Sequence, residues 1–111
     1  MEKNHYEYKP SDFETIRSVG IITTVIRFNI TETDDGWECD EIFYNHTAPL
    51  TQDDYGFLVS TIIRGQYSED QVEAITQNYL ANPQEGAAEF NDFQIWRNTA
   101  KATAKMVIDQ S

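Results

Sequence analysis

Residues 21–44, IITTVIRFNITETDDGWECDEIFY, decide the fold. The opening run, IITTVIRFNIT (21–31), is β-branched almost throughout. Such side chains fit a pleated strand better than the crowded turn of a helix. Ile22, Thr24, Ile26, Phe28 and Ile30 fall on one face, with Thr23, Val25, Arg27 and Asn29 on the other. That alternation predicts one buried face and one wet face. Thr33-Asp34-Asp35-Gly36 supplies a turn, with Gly36 free to take positive φ. WECDEIFY (37–44) answers as the return strand. Trp37 and Cys39 share one of its faces and Ile42 and Tyr44 the other; a bulge near Asp40-Glu41 would bring all four inside.

Upstream, Tyr6 and Tyr8 alternate before Pro10, which predicts an edge strand over 4–9. Ser11 followed by Glu14 has the spacing of a capping box, which would make 12–18 one helical turn, but the residues leave 1–20 undecided. Downstream the apolar period changes from two to between three and four. Thr51, with Asp53 and Asp54 behind it, marks an N-terminus, and Tyr55, Leu58, Val59, Ile62 and Ile63 form one stripe that Gly65 ends. Ser68 and Gln71 form a capping box for a second helix, whose inner face is Val72, Ile75, Tyr79 and Leu80. Asn82-Pro83 ends it, and Gln84-Glu85-Gly86 reads as a linker. A third helix follows, with Phe90, Phe93, Trp96, Ala100, Ala104 and Val107 on its inner face. The expected fold is therefore α+β, one domain over 1–111 with 1–10 a partly ordered edge segment. It has strands at 21–31 and 37–44 packed on helices at 52–64, 69–81 and 87–108.

Charge narrows the partners. The net charge is −11, with ten acids and four bases in residues 1–50 and nine and four in 51–111, so the surplus is not a tail. Such a surface repels phosphate backbones and anionic lipids, so neither a nucleic acid nor a membrane is the expected partner. The 40% hydrophobic content supports a folded core nonetheless. Met-Glu-Lys-Asn-His-Tyr-Glu-Tyr has no apolar segment of signal-peptide kind, and cytoplasmic residence is the default.

No spacing of residues demands a particular chemistry. Glu32, Asp34, Asp35, Glu38, Asp40 and Glu41 crowd the hairpin turn, but strand side chains alternate between faces and would not converge on a cation. Cys39 is the only cysteine, which excludes a disulfide within the chain, and it reads as a small buried side chain beside Trp37. His46 lies too close along the same strand exit to meet it as a catalytic partner. The second helix would be the reader of a helix-turn-helix, yet it exposes Glu69, Asp70 and Glu73 and has no Lys or Arg. No catalytic, cofactor or metal residues are assigned, and no enzyme is expected. Arg97, Lys101 and Lys105 form a stripe at i, i+4 and i+8 on the third helix. They complement the dipole at its C-terminus or form a contact surface. With the aromatics Trp96, Tyr44 and Tyr67 they make up the candidate interaction surface.

Three stretches carry a resemblance: Tyr6-Glu7-Tyr8-Lys9-Pro10, DYGFLVSTIIRGQYSEDQVEAITQNYL (54–80) and EFNDFQIWRNTAKATAK (89–105). In them the chain resembles a group of small phage and prophage proteins of gut bacteria, some encoded near tail and particle genes, with no established activity. The resemblance implies a setting, the host cytoplasm or the virion, and transfers no catalytic residue. The function expected is an accessory protein that binds protein, as particle component or assembly factor, with the acidic hairpin face of one copy against the basic stripe of another. An acidic mimic of DNA that occupies a host enzyme is the alternative, and a small enzyme, which would need a pocket gathering His46 or acids with shifted pKa values, the third.

Overall fold

The structure, a computed structural model, describes all 111 residues. The element order is β1 (Glu2–Tyr6), β2 (Phe13–Ser18), β3 (Ile21–Thr33), β4 (Gly36–His46), α1 (Tyr55–Arg64), α2 (Glu69–Ala81) and α3 (Pro83–Asp109). It is an α+β chain, a four-stranded antiparallel sheet followed by three helices. By its contacts the chain forms two compact units, residues 1–51 with Ser111 and residues 52–110.

In the first unit β3 and β4 form the expected hairpin, and the strand order β1-β4-β3-β2 places the two N-terminal strands at opposite edges. Phe13–Ser18, which the sequence leaves undecided, is thus strand, and the edge strand runs 2–6, earlier than 4–9. Ser11 does not cap: its hydroxyl donates to the Phe13 carbonyl at 2.9 Å. Ladder pairing of Phe13–Ser18 with Ile26–Ile21 supplies the backbone partners instead. The bulge also lies elsewhere. The register slips between Phe28 and Thr31, so that Asn29 and Ile30 stand opposite Cys39, and Asn29 takes the left-handed conformation at φ 56°. Asparagine is among the few non-glycine residues that adopt it readily. The extra residue is therefore in β3, not at Asp40-Glu41.

Both sheet faces are closed at the centre, which corrects the single buried face. Ile22, Thr24, Ile26 and Ile42 are buried on one side, and Val25, Arg27, Cys39 and Glu41 on the other. The link from β1 to β2, residues 7–12, has to pass from one edge to the other, three strand spacings or about 14 Å. It crosses on the Arg27 side. The Ser11 carbonyl accepts from Arg27 Nη1 at 3.1 Å, and the Lys9 ammonium lies 5.5 Å from the Trp37 ring centroid. Gly36, at φ 146°, has no room for a Cβ, because one would meet the Tyr6 carbonyl oxygen and the His5 ring.

In the second unit a 3₁₀ turn, Gln52–Asp54, leads into α1, so Asp54 rather than Thr51 holds the N-cap position. Gly65 ends α1 in right-handed conformation. Ser68 and Gln71 form the capping box in both directions, at 3.1 and 2.7 Å. The third helix begins at Pro83, four residues before 87. Asn82 both closes α2 and caps α3, accepting from Glu85 N–H at 3.3 Å, while Pro83 occupies the first turn, where its missing N–H is harmless. No linker remains. The helices approach so closely there that a Cβ on Gly86 would lie 2.8 Å from the Tyr79 Cα. Tyr79 stacks on Phe90 at 4.2 Å just beyond. Leu58, Ile62, Ile75, Phe93, Ala100, Ala104 and Val107 are buried, whereas Leu80 is 73% exposed and not part of the inner face.

Candidate functional site

The most elaborate polar constellation in the chain is on the Arg27 face of the sheet. Arg27 and Glu41 lie directly opposite each other on β3 and β4, only 6% and 2% exposed. Arg27 Nε donates to Glu41 Oε2 at 2.7 Å, and Nη2 pairs with Glu14 on β2. Nη1 donates to the Ser11 carbonyl at 3.1 Å, and the guanidinium carbon sits 5.1 Å from the Tyr6 ring centroid. Glu41 accepts further hydrogen bonds from the Asn4 amide and the Tyr6 hydroxyl, both on β1. One buried cation thus touches both edge strands and their connection. No buried polar side-chain atom is left without a partner.

The electrostatics follow from this geometry. Burial works against the charge on Arg27, but hydrogen bonds to Glu14, Glu41 and Tyr6 outweigh it and raise its pKa. Burial would raise Glu41 as well, yet donors from Tyr6, Arg27 and Asn4 bring it below the ordinary glutamate value. The Tyr6 hydroxyl is pushed up, chiefly because it donates to the Glu41 carboxylate and then because it is buried. Cys39 is raised by burial and by the nearby Glu41, opposite to the direction that activates a thiol. Each carboxylate and donor in the cluster is engaged by another strand. The arrangement ties the sheet together.

Cys39 and His46 point to opposite faces, since Cys39 shares parity with Glu41 and His46 pairs with Ile22. His46 is occupied in any case: Nε2 meets the Thr24 hydroxyl at 2.8 Å and Nδ1 donates to the Ala48 carbonyl at 2.7 Å. At the hairpin end Glu38 and Asp40 share the Ile26 side while Glu32, paired with Trp37, takes the other. Asp40 accepts from Asn29 at 2.8 Å, and Asp35 lies 3.3 Å from His5. No three His, Cys, Asp or Glu side chains converge as a metal site would require. No helix is long and apolar enough to cross a membrane.

Five residues of the candidate surface lie in the helical unit and the sixth, Tyr44, in the sheet unit. Trp96 donates its indole N–H to the Ile62 carbonyl at 3.1 Å, and Tyr67 packs edge-on against Phe93 at 5.3 Å. Both serve the joints between helices. Tyr44, in the other unit, stacks on His46 at 5.6 Å. The stripe is what stays outward. Arg97 and Lys105 are exposed and Lys101 half-buried, and none of the three forms an ion pair; Arg97 makes only a long contact of 3.5 Å with Gln94. Comparison with protein-family models, curated proteins and solved structures finds no match for this chain.

Proposed function

We propose that the protein acts by binding other protein, as a component or assembly factor of a phage or prophage particle. The observation that carries the binding role is the α3 stripe. In a chain of 19 acids and eight bases, three cations stand on one helix flank without a carboxylate partner. Oriented charge left open in this way steers and selects partners more than it stabilises a fold. Exposed Ile16, Ile21 and Phe43 on the sheet add apolar surface of the kind that interfaces use. The particle setting rests on the resemblance over 6–10, 54–80 and 89–105, which takes in the α1–α2 pair and the stripe. Acids that point to both faces of the hairpin offer no continuous row, so the DNA-mimic reading gains no support. The test is fractionation of an induced lysogen. The chain should travel with particles or assembly intermediates, and Arg97→Glu/Lys105→Glu should free it. A chain absent from both fractions removes the reading.

A further inference from the structure

Two concavities lie between α2 and α3, of about 340 and 310 Å³. Both include Ile75 and Glu89 in their walls, so they join into one groove along the helix pair. Buried Ile75 lines both parts, with Ala74, Asn78, Glu85 and Glu89 around it, and neither wall holds a Lys or Arg. Glu85 and Glu89 are four residues apart on α3 and neither side chain has a hydrogen bond or ion pair. Like charges at that spacing repel. Among the hairpin acids Glu41, Asp40 and Asp35 have partners, while Glu32, Asp34 and Glu38 are also open but line neither concavity.

Deepening the binding reading, on which this inference rests, we propose that the α2–α3 groove of one copy receives the basic stripe of a second copy. Charge complementarity selects the occupant. Arg97, Lys101 and Lys105 repeat with the same four-residue step as Glu85 and Glu89. Within one helix, however, the nearest such pair, Glu89 and Arg97, is eight residues or about 12 Å apart along the axis and forms no ion pair. The cations and carboxylates that cannot satisfy each other within a chain can do so between chains. Groove and stripe are different surfaces, so two copies can join reciprocally about a two-fold axis or continue head-to-tail from copy to copy.

The experiment is sedimentation of the full chain at about 0.05 M and about 0.5 M salt, where screening differs several-fold in range. The wild type should associate at low salt and dissociate at high salt. Glu85→Lys/Glu89→Lys and Arg97→Glu/Lys105→Glu should each weaken association by about tenfold or more. Circular dichroism confirms that each variant folds. Mixing the two variants should restore association, because each reversed surface then meets its complement. A wild type that is monomeric at both salts, association that survives either reversal, or a mixture that stays monomeric overturns the proposal. Particle fractionation answers separately: a monomer that still travels with particles leaves the binding reading standing with another partner.

Discussion

Arg27 and Glu41 face each other across the central hairpin at 2.7 Å because β3 contains one residue too many. Beyond the bulge Thr33 pairs with Gly36 and Thr31 with Glu38. Carried through without interruption, that register would set Arg27 against Ile42 and bury a guanidinium beside an aliphatic side chain. The extra residue at Asn29-Ile30 slips the ladder by one and turns Arg27 to Glu41. A strand slip of one residue exchanges every facing pair. Asn29 in its left-handed conformation therefore determines what the sheet centre contains.

Removing one partner of this pair leaves the other charge buried and uncompensated. Arg27→Ala is expected to destabilise the protein by about 3–5 kcal/mol. Replacing both, as Arg27→Met/Glu41→Leu, should recover most of that loss, because the desolvation of two charges disappears with them. A double-mutant cycle on urea unfolding measures the coupling. Additive losses would show that the two side chains act independently.

Stability should fall at both ends of the pH scale, for two different residues. Glu41 titrates lower in the folded chain, so its contribution is present above the unfolded value of about 4.3 and is lost as pH falls through the folded one. Tyr6 titrates higher, so its contribution is present below about 10 and is lost as pH rises through the folded value. Unfolding free energies over a pH series, compared with Glu41→Gln and Tyr6→Phe, separate the two. An acid limb unchanged in Glu41→Gln contradicts the first assignment.

Two glycines on helices should respond to alanine in opposite directions. At Gly56, in α1, a Cβ meets nothing within 4 Å, so Gly56→Ala should stabilise by about 0.5–1 kcal/mol. At Gly86 the Cβ would press on the Tyr79 backbone, and an overpacking cost of about 1–3 kcal/mol should exceed the same helix gain. Thermal melts of the two variants decide it. Equal shifts would mean that α2 and α3 are free to separate.

What could be read from the sequence was whatever local chemistry controls. The β3–β4 hairpin followed from its β-branched run and Asp34-Asp35 turn, and α2 from its Ser68 capping box, because each signal lies within a few residues of its effect. The boundary at Asn82-Pro83 was ambiguous for a physical reason: the pair stops one helix and starts another equally well. β2 was hidden because Ser11 and Glu14 match a capping spacing, while their actual partner, Arg27, is far along the chain. The buried ion pair was also nonlocal. A lone arginine in an apolar run, an answering glutamate and an asparagine between them were its only traces in the sequence. The α3 stripe needed only the four-residue step, but the groove depends on how closely α2 and α3 pack at Gly86.

The polar side chains buried in the sheet hold its outer strands, and amide hydrogen exchange in Arg27→Met tests this most directly. Asn4 and Tyr6 on β1 and Glu14 on β2 all depend on the Arg27–Glu41 pair. Amides of both edge strands should therefore lose protection together, while those pairing β3 with β4 stay slow. Edge-strand amides that exchange in the variant as slowly as in the wild type would contradict the account.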